Sequence, residues 1–126
     1  MTPLEWLVFL VAAGLGAPAR YLLDGWVQER TAGAFPWGTF VVNVTGCFAL
    51  GLLAGAGLYH GLGTTPQVVL GSGALGAYTT FSTMTFESVT LVEEGAHATA
   101  LRNAAGSLVV GLVAASAGIA IVAASG

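Results

Sequence analysis

The residues able to do chemistry are concentrated in Gly73-Ala-Leu-Gly-Ala-Tyr-Thr-Thr-Phe-Ser-Thr-Met-Thr-Phe-Glu87, a run of small residues and hydroxyls inside a stretch otherwise apolar enough to cross a bilayer. Hydrocarbon makes no hydrogen bonds, so hydroxyls at that depth must face protein or an ion path. Gly71, Gly73 and Gly76 dilute helix propensity. Thr79 and Thr80 compete for backbone hydrogen bonds through their side chains. Together they predict a break near Gly76 to Thr80, where freed carbonyls could coordinate a cation. The alternative is an intact helix whose glycines serve packing.

Further polar groups recur at helical spacing. Thr39, Asn43, Gly46 and Cys47 fall at i, i+4, i+7 and i+8, one face of a helix. Asn43 could line an anion path as a donor, or simply bond to a neighbouring helix. Asn103 and Ser107, four apart and continuing toward Gly111, form either a hydrophilic track or interhelical glue. Phe81 and Met84 share a face. Core packing is the ordinary use of such a pair, but beside Ser82 and Asn43 the positive edge of a ring could meet a small anion. Arg20, near the end of the first apolar segment, either draws anions into a vestibule or snorkels to the interface. An ionised Glu87 would repel an anion, which places it off the path or protonated. His60, His97, Glu93 and Glu94 read as solvated loop residues without metal-ligand spacing. Gly71-Ser-Gly-Ala-Leu-Gly76 matches G-x-G-x-x-G literally, but that fingerprint requires a preceding strand in a βαβ unit. Asn43-Val-Thr45 matches a glycosylation acceptor at a depth where it is inert.

The elements that must position these groups follow from composition. The 126 residues are 56% hydrophobic and 7% charged, against roughly 25% charged in a soluble domain. A surface so poor in polar residues requires the bilayer as solvent. There is no lysine, and the net charge is -3, which excludes a nucleic-acid partner. Cys47 is the single cysteine, so no intrachain disulfide or cysteine metal site forms. Leu7 to Leu15 followed by Ala17-Pro-Ala19 imitates a signal peptide, but Glu5 and the absence of a basic side chain before it argue against cleavage.

Apolar segments run from about Pro3 to Leu23, Ala34 to Leu58, Pro66 to Val92 and Ala98 to Ala124, each reaching the roughly 20 residues a spanning helix needs. Charges and turn formers collect at the joints 24–33, 59–66 and 93–97. The expectation is an all-α membrane protein of four transmembrane helices, one unit over residues 1–126. Gly51-x-x-x-Gly55 and Gly57-x-x-x-Gly61 let backbones touch, within one subunit or between subunits. Four short helices leave little room for a pore, which favours a homo-oligomer. Arg20, Arg30 and Arg102 lie on or near one side, a charge bias too small to set topology firmly.

At these residues the chain resembles the CrcB/Fluc fluoride channels, over essentially its whole length. The marks are Gly16-Ala-Pro-Ala-Arg-Tyr21, Gly38-Thr-Phe-Val-Val-Asn-Val-Thr-Gly-Cys-Phe48 and Gly76-Ala-Tyr-Thr-Thr-Phe-Ser-Thr-Met-Thr-Phe-Glu87. The resemblance implies an antiparallel, dual-topology dimer in the cell membrane, with two fluoride pathways along the interface. It implies a structural Na+ on the twofold axis, held by backbone carbonyls matching Gly76 and Thr79. Asn43 matches the pore asparagine, Arg20 the vestibule arginine and Phe81 the first pore phenylalanine. Met84 stands where the family has a second phenylalanine, Asn103 where a polar track begins with a tyrosine, and Gly111 where a later hydroxyl falls. Ser107 fits that track. Fluoride must exchange tightly held water for donors of comparable strength, here Asn43, Ser82 and Ser107, and pore diameter would exclude larger halides.

Other readings stay open. The Met84 departure suits a subunit that pairs with a homologous second chain. A small proton-coupled transporter would need a buried titratable group, and Glu87 is the candidate. No nucleophile-base pair or metal cluster suggests an enzyme.

Overall fold

The computed structural model describes all residues, Met1–Gly126, and contains helices and turns without strands. Three helices are long and apolar enough to cross a membrane: α1 (Pro3–Gln28), α2 (Trp37–Tyr59) and α6 (His97–Ala124). The third apolar segment is divided. It opens with α3 (Thr64–Gln67), passes through a π-helical stretch (Val68–Leu75) and ends its first half in α4 (Gly76–Tyr78). Thr79 and Thr80 are extended, with φ/ψ of -81°/159° and -146°/118°, and α5 (Phe81–Glu93) forms the second half.

Local chemistry sets the ends. A capping box starts α1: Glu5 N donates to Thr2 Oγ1 at 3.2 Å, and Thr2 N donates to Glu5 Oε2 at 2.6 Å. The hydroxyl of Thr65 also donates to Glu5, tying the start of α3 to that of α1. The first helix runs to Gln28, past the joint expected from Asp24. Arg30 Nη1 donates to Trp26 O at 3.0 Å, and Thr31 Oγ1 to Val27 O at 3.1 Å, so side chains satisfy the last carbonyls and extend the helix. Gly61 and Gly95 take φ of +69° and +83° in the turns that follow α2 and α5. The π-helical stretch was not foreseen. Its wider turn lays Gly73 against Phe9 of α1, and Gly76 N donates to the carbonyls of Gly71 and Gly73.

Packing obeys the rules of lipid rather than water. Large apolar side chains such as Leu4, Leu15, Leu22, Leu58, Leu108 and Val113 point outward. Of the 17 buried residues, eight are glycines, among them Gly16, Gly46, Gly51, Gly55, Gly111 and Gly118. Small residues permit close backbone approach, which gains dispersion and leaves no void. The most extensive contact is between α2 and α6. A Cβ on Gly51 would collide with the backbone of Ala115, and one on Gly118 with Phe48 O and Leu52 N. Gly51-x-x-x-Gly55 is therefore spent inside the subunit. Gly57-x-x-x-Gly61 is not a helix-helix seam, because Gly57 meets the Gln67 side chain and Gly61 lies in a turn.

These contacts predict opposite effects at two kinds of glycine. Gly118→Val or Gly51→Val forces the α2–α6 pair apart and costs at least about 1–3 kcal/mol. Gly14→Ala, where an added Cβ meets nothing within 4 Å, stabilises by about 0.5–1 kcal/mol. Unfolding of the purified protein in detergent measures both signs.

Candidate functional site

The site is organised around one side-chain amide. Asn43, about a third of the way along α2, lies opposite the extended residues between α4 and α5. Its Nδ2 donates to Thr80 O at 2.8 Å, and Thr80 N donates to its Oδ1 at 2.8 Å. The amide thus pairs with a peptide unit as a neighbouring strand would, satisfying two backbone groups at membrane depth. Gly46, one turn on, lets α2 approach, since a Cβ there would overlap Thr79 Cγ2. Thr80 Oγ1 then accepts from Thr83 N at 3.1 Å and caps α5.

This arrangement has a consequence for carbonyls. In a continuous helix Gly76 O would accept from Thr80 N, and Thr79 O from Thr83 N. Here those donors go to Asn43 and to the Thr80 hydroxyl. Both carbonyls lose their helical partners. The one hydrogen bond to Thr79 O comes from Arg20 Nη1, at a long 3.5 Å. Oxygen ligands freed in this way suit a hard monovalent cation.

Two cavities flank the break. A groove of about 560 Å³ is lined by Asn43, Gly46, Cys47, Gly76, Thr79, Thr80, Phe81, Met84, Ser88 and Ser107, with apolar side chains completing its wall. Phe81 is 77% exposed in it, a large apolar ring without cover in one chain. On the other side, a recess of about 190 Å³ is lined by Arg20, Tyr21, Asp24, Thr39, Val42, Thr80 and Thr83. The α2 face that carries Thr39, Asn43, Gly46 and Cys47 is therefore divided between the two.

Asn43, Gly76, Thr79, Phe81, Met84 and Ser107 meet at the groove, and Arg20 reaches the break from α1. Ser82 and Asn103 do not join them. Ser82 is exposed on a different face of α5 and lines neither cavity. Asn103 is fully buried: its Nδ2 donates to Ser88 Oγ at 2.9 Å and to Met84 O at 3.4 Å. Its Oδ1 has no partner, nor has the buried Oγ of Ser107. Ser88 in turn donates to Met84 O at 2.9 Å. Asn103 thus ties α6 to the turn of α5 that carries Met84.

Ser88 and Asp24 escaped the sequence. Thr80, at the expected break, caps α5 with its hydroxyl, but the pairing of its peptide unit with Asn43 has no side-chain signature. Ser88, at i+4 from Met84, offered a weak one. Asp24 opens the joint expected over 24–33, whereas it lies within α1 against Gly38. Glu87 is half-buried with Oε1 unpartnered.

Removing the clamp exposes its worth. Asn43→Ala leaves Thr80 N–H and C=O unpaired at membrane depth, at about 1–3 kcal/mol each. The Thr80 amide, protected from hydrogen exchange in the parent chain, is expected to exchange with the solvent-exposed amides in the variant.

Comparison with known proteins places the chain. Residues 7–119 match the family model described as CrcB-like protein, Camphor Resistance (CrcB). A protein of Streptomyces avermitilis called fluoride-specific ion channel FluC 1 is 46% identical over 116 residues, 92% of this chain and 94% of that protein. One of the same name from Rubrobacter xylanophilus is 47% identical over 118 residues, 94% of this chain and 93% of the relative. The fluoride-specific ion channel FluC of Rhizobium meliloti is 41% identical over 118 residues, covering 90% and 94%.

Proposed function

The chain belongs to the CrcB family, and on that premise we propose that it is a fluoride-selective channel releasing fluoride passively across the cell membrane. The family is one of ion channels, not enzymes, and the chain is a multi-pass membrane protein. The observation that carries the proposal is the groove at the break: Asn43, Thr79, Ser107 and the Phe81 ring meet in it, and no carboxylate lines it.

Each residue takes a role in this reading. Asn43 has two amide hydrogens and uses one on Thr80 O, so the other remains for an anion. Ser107 brings a hydroxyl that finds no partner within the chain. Phe81 offers a ring edge, and Met84 a polarisable thioether in place of a second ring. Ser82 and Asn103 serve from outside the groove, Ser82 toward a second copy and Asn103 by holding Met84. Arg20 contributes positive potential beside the break. The uncovered Phe81 supports assembly with a second copy, here an antiparallel homodimer with two pathways. The Gly76 and Thr79 carbonyls of both copies would then hold a structural Na+, which supplies fixed positive charge near the pathways.

Reconstitution tests this. Liposomes loaded with fluoride should release it rapidly through the purified protein, followed with a fluoride electrode, while a chloride control stays loaded. Phe81→Ile should abolish release in protein that remains folded. Silence of a folded, dimeric parent chain overturns the homodimer reading and points to a homologous second subunit. The buried carboxyl of Glu87 favours one rival, proton coupling. Glu87→Gln separates the two, since a channel keeps conducting and a coupled transporter stops.

A further inference from the structure

The chain has three cations, and two are committed. Arg20 donates to Thr79 O. Arg30 donates to Trp26 O, stacks 4.1 Å from the Trp26 ring centre and approaches Glu29 at 3.9 Å. Arg102, on the second turn of α6, has neither ion pair nor hydrogen bond within the chain. It lines a separate recess of about 630 Å³ between the starts of α2 and α6, with Phe35, Trp37, Phe40, Thr99 and Gly106 among its walls. The three aromatic rings form a packed cluster, with centroids 4.6 to 5.7 Å apart. The Thr99 hydroxyl and the Trp37 indole N–H also lack partners within the chain. α6 has no side-chain cap at the end facing this recess, so its N-terminus adds positive potential there, whereas the first turn of α2 is already occupied, Gly38 N donating to Gln28 Oε1 at 2.9 Å beside Asp24. No acidic residue lines it.

We propose that this recess binds the headgroup phosphate of an anionic glycerophospholipid, of the phosphatidylglycerol type. Two of its free polar groups, the Arg102 guanidinium and the Trp37 indole N–H, can only donate, and the Thr99 hydroxyl can, which selects an acceptor. An ethanolamine or choline headgroup carries an ammonium for which the recess has no carboxylate partner. Trp26, Trp37 and Phe35 cluster at the same ends of the helices, as aromatic residues do at the membrane-water boundary. That level is where lipid phosphates lie, and the aromatic walls suit the glycerol and upper acyl chains beside them. The site is distinct from the groove at the break.

The test uses the full chain in detergent, with Trp6→Phe and Trp26→Phe leaving Trp37 as the reporter. Phosphatidylglycerol brominated on its acyl chains is titrated in and quenching is followed, with phosphatidylethanolamine of the same chains as comparison. Saturable quenching that favours phosphatidylglycerol is expected. Arg102→Gln should weaken it by about fivefold, the worth of one arginine near an anionic lipid, and Arg102→Lys should keep most of the preference. Equal binding of the two lipids, or equal binding by Arg102→Gln, overturns the proposal. Competition by millimolar inorganic phosphate would make free phosphate the ligand and also overturn it. Absence of quenching because a second copy covers Trp37 would do the same. Fluoride release by Arg102→Gln is expected to match the parent, so failure here is distinguishable from failure of the channel reading.

Discussion

The structure depends on one pairing, the Asn43 amide against the Thr80 peptide unit. A helix can be interrupted inside a membrane only if the freed backbone groups find partners, because lipid supplies none. Asn43 supplies both a donor and an acceptor at 2.8 Å, and the N-cap by Thr80 gives Thr83 N its partner. Once Thr80 N is diverted, Gly76 O is left without its helical donor. Once Thr83 N is diverted, so is Thr79 O. The features of the break that suit ions are thus by-products of how the break is stabilised.

The rest of the chain holds that pairing in place by close packing rather than by burying large apolar side chains. Gly46 brings α2 onto Thr79, and Gly51 and Gly118 bring α2 onto α6. Gly16 brings α1 onto Ala74, just before the break. In water this arrangement would forfeit most of the hydrophobic driving force. In lipid that force is absent between helices, and dispersion between touching backbones takes its place. The same glycines that depress helix propensity therefore serve the tertiary structure, and the π-helical stretch is where they cluster.

Two departures from the resembled family turn out to be neighbours. Met84 and Asn103 were separate oddities in the sequence, nineteen positions apart. The fold joins them through Ser88, which donates to Met84 O and accepts from Asn103. The amide of Asn103 restrains the turn that carries the Met84 thioether.

Much of this was legible in the residues alone. Composition determined the solvent, because a chain 7% charged cannot cover itself for water. Hydropathy placed the spans, and the cluster of Gly71, Gly73, Gly76, Thr79 and Thr80 located the trouble in the third. Motifs named the family. What sequence could not supply was pairing between distant side chains and backbone. Asn43 could equally have been a free donor or an interhelical bond, and the fold makes it half of each: one N–H spent on Thr80, one left. Asn103, on α6, spends its amide on Ser88 and Met84, and Ser82 lies outside the groove of the single chain, a position that depends on how the half-helix α5 is rotated after the break. Two extended residues at Thr79 and Thr80 set that rotation, and helical periodicity does not carry across a segment that is not helical.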